Sequence, residues 1–108
     1  MALSMIQFSY TPEFVGKLIQ NPEDRSKTVK NLIESLGGKL LAFYYTYGEY
    51  DGLVIADMPD STSGLAANMV AVAAGGNSKL KTTILITVEE AMSAMTKAQG
   101  IKLSQPKG

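Results

Sequence analysis

The chain has no cysteine and no histidine. Without cysteine there is no disulfide, no thiolate nucleophile and no cysteine-based metal site. Without histidine the commonest general base and the commonest metal ligand are gone, and with them every Ser–His or Cys–His pair. Charge of one sign is not in surplus either: ten basic residues balance ten acidic ones. Nucleic-acid binders normally carry a basic excess, so no nucleic-acid partner is expected. The longest apolar stretch, residues 65–74, contains Asn68 and is too short to span a bilayer. Met1-Ala2-Leu3-Ser4 shows no positively charged start followed by an apolar run, so no secretory signal is expected. These absences predict a soluble cytoplasmic protein with no metal, no cofactor and no membrane partner. Any chemistry must come from carboxylates, tyrosine, lysine or backbone groups.

What the chain does have is enough length and apolar content for one core. A single domain of 108 residues, 45% hydrophobic, buries roughly two thirds of its unfolded surface. Residues 1–98 are expected to form it, with 99–108 as a loose polar tail. The stretch Phe43-Tyr44-Tyr45-Thr46-Tyr47-Gly48-Glu49-Tyr50-Asp51-Gly52-Leu53-Val54-Ile55-Ala56 concentrates four of the five tyrosines and reads as two strands around a tight turn.

Alternation of apolar and polar residues predicts a first strand over 5–10, with Ile6, Phe8 and Tyr10 on one face. Thr11-Pro12-Glu13 is a helix start: a cap, a first-turn proline and an acid at the positive end of the dipole. Pro22 interrupts the helical pattern, so a break at Asn21 is expected, with Asn21 capping a second segment that runs to Leu36. Val29, Leu32, Ile33 and Leu36 give that segment one buried stripe, and Gly37-Gly38 ends it. Strands are predicted over 39–47 and 52–57, joined by a turn at Gly48-Glu49-Tyr50. Asp60 or Ser61 caps a helix over 62–74, with Leu65, Met69 and Val72 as its main inward stripe. A fourth strand over 80–88 carries Leu80, Ile84, Ile86 and Val88 on one face and Lys81, Thr83, Leu85 and Thr87 on the other. Thr87-Val88-Glu89-Glu90 has capping-box spacing for a short helix over 89–98.

The order strand, helix, strand, strand, helix, strand is the split strand-helix-strand pattern of ferredoxin-like domains. The expected fold is α+β: βαββαβ with an antiparallel sheet in order 4-1-3-2, both long helices on one face, and a short C-terminal helix. Strand three, Leu53-Val54-Ile55-Ala56, is apolar without alternation, which marks a strand covered on both faces. Helices cover one face only. The simplest lid for the other is a second copy of the chain, giving a homodimer or higher homo-oligomer built as a dimeric α/β barrel; the competing covers are the tail or third helix folding over the sheet, or a different partner protein.

The residues also resemble a known family, the small bacterial and archaeal GYD-domain proteins. Gly48-Glu49-Tyr50-Asp51 corresponds to the signature. Tyr10-Thr11-Pro12-Glu13, Asn21-Pro22-Glu23-Asp24-Arg25, Leu36-Gly37-Gly38-Lys39, Phe43-Tyr44-Tyr45-Thr46 and Pro59-Asp60 are similar to its other segments, over roughly residues 5–88. The resemblance implies the dimeric ferredoxin-like barrel and supplies neither substrate nor catalytic residue. Gly52 departs from it, standing where a larger apolar residue is expected.

Three groups are candidates for chemistry. Asp51, with Tyr50, is the candidate catalytic pair, an acid or base at the mouth of a sheet-lined pocket. The bland alternative is a turn in which Gly48 takes positive φ, Asp51 accepts turn amides and Tyr50 packs. Tyr10, Tyr45 and Tyr47 are candidate ligand contacts, since hydroxyl-tipped aromatics suit a flat organic molecule; a packed interface uses the same residues. Lys81 and Thr83 are candidate anion contacts, unless Lys81 is a solvated edge-strand charge. The acids Glu23, Asp24 and Glu34 are not joined by a histidine, nor do the three fall at metal-ligand spacing. The leading expectation is a small apolar or aromatic ligand bound without catalysis. Alternatives are a cofactor-free enzyme using Asp51 and the tyrosines, of monooxygenase or isomerase type, and a structural assembly module.

Overall fold

A computed structural model describes residues 2–107. Four strands and four helices follow one another as β1 (Ala2–Tyr10), α1 (Pro12–Gln20), α2 (Arg25–Ser35), β2 (Lys39–Tyr45), β3 (Gly52–Met58), α3 (Ser61–Ala73), β4 (Asn77–Leu85) and α4 (Val88–Ala98). The strands form one antiparallel sheet in the order β2-β3-β1-β4, the expected 4-1-3-2 read from its other edge. The fold is the ferredoxin-like α+β architecture, with a helix appended at the end.

Local chemistry sets most element ends. Thr11 Oγ1 accepts the Phe14 amide and Pro12 occupies the first helical position, where its missing N–H costs nothing. Thr87 and Glu90 close a full capping box on α4. The end of α2 is a Schellman turn: Gly37 sits at φ +80°, and the Gly38 amide donates to the Ile33 carbonyl at 3.0 Å.

Three local expectations are corrected. Asn21 does not cap α2. Proline biases its preceding residue away from helix, so Asn21 closes α1 instead, donating to the Lys17 carbonyl. Asp24 is the cap of α2, accepting the Ser26 amide at 2.9 Å. The fourth strand starts and ends three residues earlier than expected, because Asn77 already pairs with Tyr10 and the capping box recruits Val88 into α4. The turn after β2 is a loop over residues 46–51, closed by a 2.8 Å bond from the Thr46 amide to the Asp51 carbonyl. A loop of that length reverses the chain without left-handed residues, and Gly48 has no positive φ.

Strand register decides which side chains meet. Ile6 pairs with Val54, Ser4 with Ala56 and Phe8 with Gly52, so these residues share the helix-facing side. On β2, simple alternation fails. An irregularity between Leu40 and Ala42 puts Leu40, Phe43 and Tyr45 opposite Ala56, Val54 and Gly52 respectively. A bulge adds one residue to one strand and re-aims those beyond it. Leu40 and Phe43 accordingly pack against the same core, which is centred on Phe8, Ile33, Val54, Ala56, Met58 and Ala67.

Beneath Phe8, Gly52 is required by close approach. A Cβ at Gly52 would fall 2.3 Å from Phe8 Cζ and 2.9 Å from the Tyr44 carbonyl oxygen. The departure from the expected larger residue is thus accounted for: the Phe8 ring folds over the space where its side chain would be.

The opposite sheet face carries Leu3, Met5, Gln7, Leu53, Ile55, Tyr44, Lys81, Thr83 and Leu85 by the same register. Strand β3 alternates buried and half-buried residues, with Leu53 and Ile55 in the half-buried set, so the chain alone covers only one of its two apolar faces. Helix α4 stands away from the body. Its Val88, Met92 and Met95 are 60–76% exposed. The radius of gyration is 17.9 Å, with a longest extent of 60 Å, against about 13 Å expected for a compact domain of this length. Among the described residues no helix is long and apolar enough to cross a membrane.

Candidate functional site

The helix layer does not close onto the sheet. A partly enclosed cavity of about 330 Å³ lies between them, at the small end of the range for ligand sites. Its floor is the alternate set Ser4, Ile6, Phe8 and Tyr10 of β1, with Val54 and Ala56 beside it. Val29, Leu32 and Ile33 of α2 form one wall. The other wall is Gly64, Ala67, Asn68 and Ala71 of α3.

That second wall explains the empty space. The expected inward stripe of α3 was Leu65, Met69 and Val72, but Met69 and Val72 are 61% and 58% exposed and Leu65 only rims the cavity at 56%. The small residues at i, i+3 and i+7 face the sheet instead. A helix apolar on all sides does not announce its inner face by periodicity. Turning the small side inward leaves volume unfilled and large apolar groups on the surface.

The aromatic end of the cavity gathers several of the expected residues. Tyr10 lines it and packs 4.8 Å from the Phe14 ring centroid and 5.1 Å from that of Phe8. Tyr45 lies 6.3 Å from Tyr10, their hydroxyls 3.4 Å apart. Burial, then the hydrogen bond to Tyr45, hold the Tyr10 hydroxyl well above the usual phenol range, keeping it neutral. Tyr47 does not join this group; it sits in the loop, fully exposed. Lys81 and Thr83 are on the other face of β4, across the sheet from the cavity.

Asp51 and Tyr50 lie where the β3–β1 ladder runs out. The Asp51 amide donates to the Phe8 carbonyl at 2.8 Å. Asp51 Oδ2 then accepts the Tyr10 amide at 2.8 Å. The carboxylate thus stands in for the next carbonyl of a strand that has already turned away. Tyr50 is buried, with Lys79 Nζ 4.9 Å from its ring centroid, and its carbonyl accepts from Thr46 Oγ1.

Polar groups at the cavity are few. Asn68 Nδ2 donates to Thr82 Oγ1 at 2.8 Å. Asp60, at the far end, caps α3 by accepting the Ser63 amide at 2.7 Å, a bond that keeps its carboxyl below the usual range. Arg25, at the aromatic end, was not among the residues the sequence singled out. By sequence it belonged only to the Asn21–Arg25 segment and the outer side of the helix, whereas the fold brings it to the cavity. Among the described residues no three acids gather as a metal site.

The sheet order and the helix-covered cavity define a ferredoxin-like α+β domain. Solved structures with this fold include MtbAldR (TM-score 0.58, 15% identity, covering 80% of this chain and 53% of that one). TTHA0845 from Thermus thermophilus is similar at TM-score 0.54 and 12% identity, covering 82% and 96%. FFRP-DM1 is similar at 0.50 and 19%, covering 80% and 100%. The chain spans about half the length of MtbAldR, and at these identities the likeness concerns the fold. No curated protein matches it. The chain belongs to the GYD domain family, whose match covers residues 5–95.

Proposed function

We propose that the protein binds a small apolar or aromatic molecule in the cavity between α2, α3 and the sheet, and does so as a homodimer joined through the open sheet face. The observation that carries the ligand reading is the cavity itself. Well-packed interiors leave few voids larger than a water molecule. Here Gly64, Ala67 and Ala71 keep a volume of about 330 Å³ open against Phe8, Tyr10 and Leu80. Binding rather than catalysis is favoured by the commitment of Asp51 Oδ2 to the Tyr10 amide, which leaves the best acid of the signature in a structural role.

The dimer reading rests on Leu3, Met5, Leu53, Ile55 and Leu85, which register places on a face the helices leave open. Contiguous apolar patches of this kind mark interaction surfaces, and a two-fold contact between identical faces is the commonest cover. Helix α4, which stands away from the body with Met92 and Met95 exposed, adds surface that a second copy can reach.

Both parts are tested directly. Titration with a naphthalene-type fluorescent probe should show saturable one-to-one binding. Ala71→Leu, which extends a side chain into the cavity, should weaken binding at least tenfold while leaving the circular dichroism spectrum intact. Equal binding by that variant would move the ligand elsewhere. Sedimentation at micromolar concentration should give a dimer. A monomer of 11.5 kDa would end the assembly reading and leave the cavity reading standing.

A further inference from the structure

We infer that the ligand is an acid: a compact aromatic or aliphatic carboxylate whose charged end is held by Arg25 and whose body lies between α2 and α3. This rests on the cavity being a ligand site, as proposed above, and adds which class of molecule fits it. Among the described residues, Arg25 has the only basic side chain along the cavity. Its guanidinium carbon stands 5.0 Å from the Phe14 centroid, and the Tyr10 ring packs 4.8 Å from the same ring. Stacking on Phe14 therefore holds the guanidinium at the end of the cavity where the Tyr10 and Tyr45 hydroxyls meet.

Helix stability does not account for a cation there. Arg25 is the first residue of α2, at the positive end of its dipole, and the first turn carries no acid. Among the described residues its one ion pair is with Glu23, Nη1 to Oε1 at 3.2 Å, with Glu23 55% exposed. An exposed pair of that kind is weak and readily exchanged. The Arg25 side chain is only 26% exposed, so a carboxylate entering from the cavity would meet a partly desolvated, pre-oriented donor fork. Such bidentate contacts are the strong ones. The far end of the cavity carries Asp60, which repels an anion and sets the orientation: carboxylate toward Arg25, hydrocarbon toward Leu32, Val54 and Ala67.

The test compares 2-naphthoate with its neutral methyl ester, titrated by probe fluorescence against the unmodified chain, Arg25→Gln and Glu23→Gln. The unmodified protein should bind the acid at least about tenfold tighter than the ester, with the preference shrinking as salt rises. Arg25→Gln should erase that preference by weakening the acid alone. Glu23→Gln, at an exposed position that leaves the fold untouched, should strengthen the acid and leave the ester unchanged. Equal affinity of the unmodified chain for acid and ester overturns the inference while sparing the cavity. A loss of both ligands by the same factor in Arg25→Gln also overturns it, because Arg25 then only packs on Phe14. Binding of neither ligand refutes the cavity reading and this one together.

Discussion

Replacing Asp51 is the sharpest way to ask whether the family signature is structural. Its Oδ2 accepts the Tyr10 amide at 2.8 Å, one residue beyond the point where backbone pairing between β1 and β3 ends. Asp51→Ala removes the only acceptor the structure gives that amide on the β3 side. A hydrogen bond to a charged acceptor contributes about 1.5–3 kcal/mol, and an amide left unpaired costs about 1–3 kcal/mol. The site is part-buried, so water recovers some of this, and about 2 kcal/mol is the expected loss. In a domain of this size each kcal/mol moves the melting temperature by about 4–8 °C. The drop should therefore be roughly 8–16 °C by calorimetry, with matching loss in urea. Asp51→Asn keeps a carbonyl oxygen in place and should lose less than half as much. This end of β1 carries Tyr10 at the cavity, so Asp51→Ala should also loosen probe binding. An Asp51→Ala protein that melts within about 2 °C of the parent would refute the reasoning and return the carboxylate to the list of free functional groups.

Gly52→Ala should cost about 1–3 kcal/mol by overpacking against Phe8, since its Cβ would lie 2.3 Å from that ring. Urea unfolding of Gly52→Ala with Phe8→Leu should recover part of the loss, the two changes being non-additive because they share one space. Tyr10 has its folded pKa raised above the ordinary 10.0 by burial and by Tyr45. The stabilisation is therefore complete below pH 10 and lost as pH rises beyond it, and Tyr10→Phe should flatten the alkaline limb of a melting-temperature profile. Asp24 and Asp60 have folded pKa values lowered below the ordinary 3.8 by hydrogen bonds at Ser26 and Ser63. Their contribution is present above that value and lost as pH falls below it. A double Asp24→Asn, Asp60→Asn variant should show a shallower acid limb in the same profile.

The parts of this molecule legible in its sequence are those set by chemistry within a few residues. Thr11-Pro12, Asp60 and the Thr87–Glu90 box mark helix starts because a cap and its amide are near neighbours. Gly37 ends α2 because the left-handed turn there needs glycine. The βαββαβ order follows from those signals, and the sheet order from crossover handedness. The unalternating β3 announced a face that helices cannot reach.

Only the tertiary structure decided how those elements use their faces. Helix α3 is apolar all round, so nothing local told Leu65 and Met69 from Ala67 and Ala71. Packing over Phe8 and Leu80 turned the small side inward and opened the cavity. The bulge at Leu41 put Phe43 and Tyr45 beside Phe8, where plain alternation would have set Leu40 against them. Asp51 found its partner 41 residues away, on Tyr10. Arg25 became a candidate only when Phe14, from a different helix, came beneath it. The Asp51–Tyr10 bond and the packing of α3 over Phe8 join residues remote in the chain, and such contacts exist only once the sheet has brought its strands together.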